Sequence, residues 1–288
     1  MPRHIFGSVG LALLLGANAA GQAEPDLTTV LRRATDYVDG YAKEFSRVIA
    51  DEEYVQELRV AAKYQSSGGT SVRKVRDRRL RSELAFLWLP RDRAWMAFRD
   101  VIEVDGQPVT DRTIRLKQLL MEPGSTAEVR ALADEGARFN IGDIARNFSE
   151  PTLVVTFLAS KTSERFAFRK SAVESREDSV SWVIDFKETT RPTLIRNRHR
   201  SLPAEGKVWV EPESGRIVRT RLVIHDRQGD VHGEVDVAYR LDPRLEMWVP
   251  SEMVEDYFHP GTELGEHIEG RATYSNFRRF DTETRIIR

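Results

Sequence analysis

The chain has 288 residues, with 44 Lys and Arg against 45 Asp and Glu, and a formal net charge of −1. This balance gives no bulk electrostatic basis for binding nucleic acid, which is not predicted as a partner. The chain contains no cysteine, which excludes disulfide bonds and a cysteine-linked lipid anchor. The fold must therefore rest on its hydrophobic core.

The first 23 residues have the layout of a cleaved secretory signal peptide. A short basic start precedes an apolar stretch over residues 5–16, and small residues follow. The apolar stretch is shorter than the ~20 residues that cross a bilayer. We predict export to the periplasm or the exterior, without a transmembrane anchor. Cleavage is expected after Ala23, with Ala19 as the alternative, which leaves one domain over residues 24–288.

An amphipathic helix is predicted at the start of the mature chain. Apolar residues recur at spacings of three and four from Leu27 to Ile49, and Asp26 is suited to cap the N-terminus. The polar face is rich in acidic residues, which favours packing on a sheet over a membrane surface. The acidic run over residues 51–53 is interpreted as a solvated helix end.

Beyond this helix the apolar period shifts towards two, which predicts an antiparallel sheet of about ten strands. The candidate strands are 53–60, 79–89, 95–104, 164–170, 180–187, 207–211, 216–225, 234–241, 253–258 and 267–277. A short buried helix is predicted over 151–159, with a strand as the alternative, and 125–139 has helical composition. Gly270 and Ala272 share one strand face, where small residues leave room for a helix or a ligand. The fold class is α+β.

Residues 205–226 read as a β-hairpin. We predict a three-residue loop over 213–215 with Gly215 in the left-handed conformation. The resulting cross-strand pairs are Val210 with Val218, Val208 with Thr220, and Trp209 with Arg219. This register places like residues together, with one apolar face and one semi-polar face.

Three stretches in the C-terminal half carry a family resemblance. They are "GKVWVEPESGRIVRTRLVI", "VDVAYRLDPRLEMWVPSEMVEDYF" and "IEGRATYSNFRRF", the last ending in a Tyr-x-x-Phe-x-x-Phe pattern formed by Tyr274, Phe277 and Phe280. They resemble the exported outer-membrane lipoprotein-carrier (LolA/LolB-like) superfamily and, more closely, uncharacterised secreted proteins that share this half. The resemblance implies a strongly curved, unclosed antiparallel β-barrel around helices, with an apolar cavity. It assigns no ligand-binding residue.

The resemblance also implies a non-enzymatic carrier or sensor that holds an acyl chain or a lipidated peptide. No cofactor is predicted, and the chain is expected to be a monomer. Large rings on the candidate strands are the cavity candidates: Phe86, Trp88, Trp95, Phe98, Trp182, Phe186 and Trp209.

Two alternatives remain open. One is an envelope interaction module with a filled core, which docks a partner protein through the basic runs at 73–81 and 191–200. The other is a hydrolase or metal enzyme that uses the region from His259 to His267, where two histidines and two carboxylates occur. Their spacing matches no metal motif, and no H-E-x-x-H, G-x-S-x-G or P-loop pattern is present, so no catalytic or metal residue is assigned. The cavity volume should discriminate among these functions.

Overall fold

The computed structural model describes residues 24–46, 48–63, 70–89, 94–110, 135–142, 144, 146, 148–176, 179–197, 200–226, 231–259 and 265–279. The predicted signal peptide lies outside these residues. None of the helices in the described part of the chain is both long and apolar enough to cross a bilayer.

Helix α1 spans Leu27–Phe45, and the Asp26 side chain caps it by accepting a hydrogen bond from the Thr29 amide at 2.7 Å. The predicted continuation of this helix to Ile49 is wrong, because strand β1 begins at Val48. The apolar spacing runs across the boundary, but the β-branched pair at 48–49 fits a strand better than a helix. Helix α2 spans Leu153–Phe157, which confirms a helix within 151–159.

The strands are β1 (Val48–Lys63), β2 (Thr70–Leu89), β3 (Ala94–Val104), β4 (Gln107–Pro108), β5 (Phe166–Arg176), β6 (Ser179–Glu188), β7 (Ile195–Asn197), β8 (Arg200–Leu202), β9 (Ala204–Val210), β10 (Ile217–Asp226), β11 (Val231–Asp242), β12 (Met247–His259) and β13 (Glu266–Arg279). Among the described residues, eleven of them form one open sheet in the order β4-β3-β2-β1-β13-β12-β11-β10-β9-β6-β5, and β7 pairs with β8. Neighbouring strands of the large sheet run antiparallel. The predicted antiparallel sheet is confirmed.

The sheet has an inner face, against which α1 and α2 pack, and an outer face. Strand β1 shows the alternation, since Ala50, Glu52, Tyr54 and Gln56 are buried while the residues between them are half-buried or exposed. The apolar residues of the inner face join Val30, Ala34, Val38, Tyr41 and Phe45 of α1 in one core cluster. The helices therefore fill the apolar part of the inner face.

The outer face carries aligned rows of charged side chains. One row crosses seven strands and places six carboxylates in register, interrupted by one valine: Glu205, Val223, Glu234, Asp256, Glu269, Glu57 and Asp77. The adjacent row consists of His225, His232, Phe258, His267, Arg59 and Lys74. This alternation of acidic and basic rows is typical of a sheet face that meets solvent.

The turn between β9 and β10 differs from the sequence prediction. The Glu211 amide donates to the Arg216 carbonyl at 2.9 Å, so the loop has four residues, 212–215, and the predicted three-residue loop is wrong. Gly215 has φ 72°, which confirms its left-handed conformation. A Cβ at Gly215 would lie 2.2 Å from the Arg33 carbonyl carbon, so the turn packs directly on α1.

The pairing of β9 with β10 shifts by one residue between Ile217 and Arg219, as in a β-bulge. Beyond this shift the two strands have the predicted register. Val210 pairs with Ile217, not with Val218 as predicted. The predicted pairs Trp209–Arg219 and Val208–Thr220 are confirmed. The bulge absorbs the extra loop residue, which is why the far part of the hairpin keeps the predicted register.

Candidate ligand-binding site

The inner face has two regions of different chemistry. One is an apolar contact between α1 and α2, called here the α1–α2 seam. The other is a buried polar network over β1, β3 and β12, formed by Glu52, Tyr54, Gln56, Arg99, Arg146, Glu255 and Tyr257.

The α1–α2 seam is built from the apolar stripe of α1. Three of its rings stack along one side of the helix, with centroids 5.9 Å apart for Tyr37 and Tyr41 and 4.9 Å apart for Tyr41 and Phe45. Burial raises the pKa of Tyr37 to about 12. A cavity of about 30 Å³ lies in the seam and is lined by Val38, Tyr41, Ala42, Phe45, Thr152, Val155, Thr156 and Ala159. No charged side chain is among these described lining residues.

The volume of this cavity limits which molecules fit between α1 and α2 as the structure describes them. About 10–15 Å³ suffices for one water molecule, whereas an engineered apolar cavity that binds benzene measures ~150 Å³. A cavity of about 30 Å³ therefore admits water but no acyl chain. A ligand of that kind requires the seam to open.

The structure separates the ring residues named from the sequence. Trp182 and Phe186 belong to the inner-face core, where Phe186 lies edge-on to Phe157 of α2 with centroids 5.7 Å apart. Phe98 and Trp209 are buried on the outer face, and the Arg219 guanidinium lies 4.7 Å from the Trp209 ring centre. The remaining three, Phe86, Trp88 and Trp95, lie in β2 and β3, with side chains outside the described part.

A buried ion pair anchors the polar network. Arg99 donates from Nε to Glu52 Oε2 at 2.5 Å and from Nη2 to Oε1 at 2.8 Å, and Glu52 is fully buried. Burial by itself lowers the pKa of Arg99. The Glu52 carboxylate raises this pKa by more than burial lowers it, so the guanidinium stays charged. The acidic run at 51–53 is thus not a solvated helix end, because Glu52 faces inward on β1.

A second buried carboxylate lies beside this pair. Glu255 is 1 % exposed and accepts hydrogen bonds from the Tyr54 hydroxyl and, at 2.8 Å, from the Tyr257 hydroxyl. Arg146 donates to the Tyr54 hydroxyl at 3.0 Å and to Gln56 Oε1 at 2.6 Å. Burial and the Glu255 charge raise the pKa of Tyr54 above its usual range, so the phenol remains a neutral donor.

Gly270 provides the space for this network. A Cβ at Gly270 would lie 2.6 Å from Glu255 Oε2 and 3.0 Å from the Tyr54 ring. The sequence suggested that Gly270 and Ala272 leave space for a helix or a ligand. At Gly270 the Tyr54–Glu255 pair fills this space. The carboxylates of Glu52 and Glu255 have their partners within the network, whereas Arg146 Nε and Gln56 Nε2 are buried without a hydrogen-bond partner in the described part of the chain. The network therefore ties β1, β3 and β12 to the segment that carries Arg146.

The basic run at 73–81 makes ion pairs with neighbouring strands, and the histidine region is described only in part. Arg81 donates to Glu103 at 2.8 Å, and Lys74 donates to Glu57 at 3.1 Å, so neighbouring strands partly neutralise the run at 73–81. In the histidine region, residues 260–264 lie outside the described part, and His267 Nε2 lies 2.9 Å from Asp256 Oδ2.

The chain is similar in structure to several solved proteins. One is a domain from Vibrio parahaemolyticus described as an outer membrane lipoprotein-sorting protein, with TM-score 0.32, 15% identity, and coverage of 87% of this chain and 93% of that chain. Another is a DUF1329 family protein from Desulfovibrio piger, with TM-score 0.32, 10% identity, and coverage of 88% and 92%. A third belongs to the Pseudomonas aeruginosa MucA/MucB complex, with TM-score 0.20, 9% identity, and coverage of 86% and 99%.

The description of the first of these proteins names the same kind of protein that the sequence resembles, but a TM-score of 0.32 carries no argument. Neither a protein-family model nor a curated protein matches the chain. At these TM-scores the similarities carry no argument about ligand or partner, for which the chain's own residues are the basis.

Proposed function

We propose that this protein is an exported, non-enzymatic carrier or sensor that takes an acyl chain, free or on a lipidated peptide, at the α1–α2 seam. The observation that carries the proposal is the uncharged lining of the seam on the helix-bearing face of the sheet. An acyl chain needs such a surface, because it offers no hydrogen bond and gains free energy from leaving water.

Binding requires the short α2 segment to move away from α1. Two hydrogen bonds hold the ends of this segment: Tyr239 donates to the Pro151 carbonyl at 2.5 Å, and the Ser160 amide donates to Asp39 of α1 at 3.1 Å. A chain of about 14 carbons buried at ~0.8 kcal/mol per methylene gains about 11 kcal/mol. Opening and association consume several of these kilocalories, which leaves an affinity in the micromolar range.

Acyl binding is tested by titrating the protein with a fluorescent fatty acid of about 16 carbons. Native mass spectrometry of protein purified from its own envelope tests whether it carries a bound lipid. Ala42 is half-exposed and lines the seam, so Ala42→Trp should block entry and weaken binding at least about tenfold. Lys43→Trp is the matched control, because Lys43 is exposed on the next position of α1. Equal binding by the two variants would rule out the seam as the site.

Export is tested separately by N-terminal sequencing of the protein recovered outside the cytoplasm. The expected mature N-terminus is Glu24, after cleavage behind Ala23. A protein that still begins at Met1 and is found only in the cytoplasm would contradict export and the carrier role together.

The small volume of the cavity favours a second candidate function, an envelope interaction module with a filled core. Arg73, Arg76 and Arg79 are exposed on β2 and offer positive charge to an acidic partner. A folded protein that binds no acyl ligand, yet loses a partner on Arg73→Glu and Arg76→Glu, would support the module over the carrier.

A further inference from the structure

Two histidines face each other across neighbouring strands of the outer face. His225 on β10 and His232 on β11 are directly paired in the register. Their Nδ1 atoms are 3.1 Å apart, with ring centroids 4.6 Å apart and ring planes at 43°. Two imidazole nitrogens therefore converge on one point without any rearrangement of the backbone.

The spacing of these nitrogens suits a shared metal ion. With metal–nitrogen distances of ~2.0–2.1 Å and a tetrahedral angle, two ligand nitrogens are separated by about 3.3–3.4 Å. The observed 3.1 Å differs from this by a few tenths of an ångström. In the metal-free pair one imidazole N–H donates a hydrogen bond to the other ring, and a metal ion that takes the place of this hydrogen binds both nitrogen lone pairs.

The second nitrogen of His225 also has the surroundings of a metal ligand. Glu205 Oε1 lies 3.8 Å from His225 Nε2. A carboxylate that accepts a hydrogen bond from the outer nitrogen of a ligand imidazole fixes its tautomer and increases its basicity, and at 3.8 Å Glu205 is somewhat beyond that distance. Glu234 on β11 belongs to the neighbouring carboxylate row, and Arg221 pairs with it at 3.1 Å.

A competing group on the same face has a less favourable charge environment. Asp256, His267 and Glu269 place potential ligand atoms within 4.8 Å of one another. However, Glu269 accepts a hydrogen bond from Arg59 at 2.9 Å, so a guanidinium already occupies the place of a cation. The carboxylates near the His225–His232 pair are likewise ion-paired, Glu205 with Lys187 at 3.4 Å and Glu234 with Arg221 at 3.1 Å, but the ligand atoms of this pair are imidazole nitrogens and not these carboxylates.

We propose that His225 and His232 bind one divalent transition-metal ion through their Nδ1 atoms, with water completing the coordination. Imidazole ligands suit Cu²⁺ and Zn²⁺, and the general order of affinities places Cu²⁺ first. Because ligand imidazoles must be deprotonated, binding weakens as the pH falls. The site is independent of the proposed acyl site, which lies on the opposite face of the sheet.

The test is calorimetric titration of the metal-free protein with Cu²⁺ and with Zn²⁺, together with the paramagnetic resonance spectrum of the Cu²⁺ complex. We expect one tight Cu²⁺ equivalent with two nitrogen ligands. His225→Ala and His232→Ala should each weaken Cu²⁺ binding at least tenfold and reduce the spectrum to one nitrogen. His267→Ala is the matched control on the same face and should leave the affinity unchanged.

Three results would overturn the proposal. One is unchanged Cu²⁺ affinity in both His225→Ala and His232→Ala, when circular dichroism shows that the variants are folded. The second is a loss of affinity only in His267→Ala, which would assign the ion to the Asp256 group. The third is a spectrum of the wild-type complex with fewer than two nitrogen ligands.

Discussion

Replacing Gly270 with alanine tests whether the polar network is packed as described. The added methyl would lie 2.6 Å from Glu255 Oε2 and 3.0 Å from the Tyr54 ring. Glu255 cannot simply move aside, because two tyrosine hydroxyls hold its carboxylate and it is 1 % exposed. The substitution must therefore distort a buried, charge-assisted hydrogen-bond arrangement.

The expected magnitude follows from two destabilising contributions and one that opposes them. Overpacking of a buried site costs ~1–3 kcal/mol, and weakening a hydrogen bond to a buried charge costs ~1.5–3 kcal/mol. Glycine-to-alanine changes also stabilise by ~0.4–1 kcal/mol, because they restrict the unfolded chain. Gly270→Ala should thus lower the free energy of unfolding by ~2–5 kcal/mol.

The matched control is the same substitution at Gly40 in α1. A Cβ at Gly40 meets nothing within 4 Å, and alanine is the better helix former, so Gly40→Ala should stabilise by ~0.5–1 kcal/mol. Urea denaturation of the two variants and the wild type measures both effects. If Gly270→Ala proved neutral or stabilising, the close approach of Tyr54 and Glu255 to Gly270 would be refuted.

Three further outcomes are expected in denaturation experiments. Gly215→Ala should lose ~1–3 kcal/mol, because the methyl meets α1 at a left-handed position, whereas Ser214→Ala should lose less than ~1 kcal/mol; similar small losses would contradict the turn. Glu52→Gln should lose ~3–5 kcal/mol because it leaves Arg99 buried without its charge partner, and adding Arg99→Met should recover much of this loss; additive losses would argue against the pair. Burial raises the pKa of Tyr239 above the usual 10.0 of a tyrosine, so the folded protein keeps a proton that the unfolded chain loses above about pH 10. Stability is complete below pH 10 and falls above it, and in Tyr239→Phe this fall should be shallower by ~1.4 kcal/mol per pH unit; parallel curves would show that Tyr239 titrates normally.

The periodic parts of the sheet could be predicted from the sequence because alternation reports directly on burial. The predicted strands over 180–187 and 267–277 lie within β6 and β13, and the one over 216–225 coincides with β10 except at its first residue. The ends of helices and strands were harder to predict where the same residues fit both a helical and a strand pattern. Residues 48–49 are an example, because the helical spacing of α1 continues into β1. The hairpin shows that compensating errors can leave a correct register, since the bulge cancels the longer loop.

The polar network could not be predicted, because its members are distant in sequence and each is ordinary by itself. Glu52 lies in an acidic run, and only the alternation of β1 shows that it faces inward between Ala50 and Tyr54. Its partner Arg99 lies on β3, which β2 separates from β1 in the sheet. Glu255 lies on β12, which β13 separates from β1. Such pairing depends on which strands become neighbours, a property that local periodicity does not contain. Polar residues at inward positions of β1 were the available signal.

The order of the strands also determines how the protein can assemble. Strand β1 pairs with β13 along most of its length, so the two ends of the described chain meet in the middle of the sheet. Until β13 is in place, β1 and β12 each present a bare row of backbone donors and acceptors. Pairing across such a long separation makes closure slow, since the entropy of the intervening chain is lost before the contacts form. A ribosome-bound or partly translocated chain that lacks residues 266–279 therefore has no complete sheet, and the last of the described strands joins its two halves.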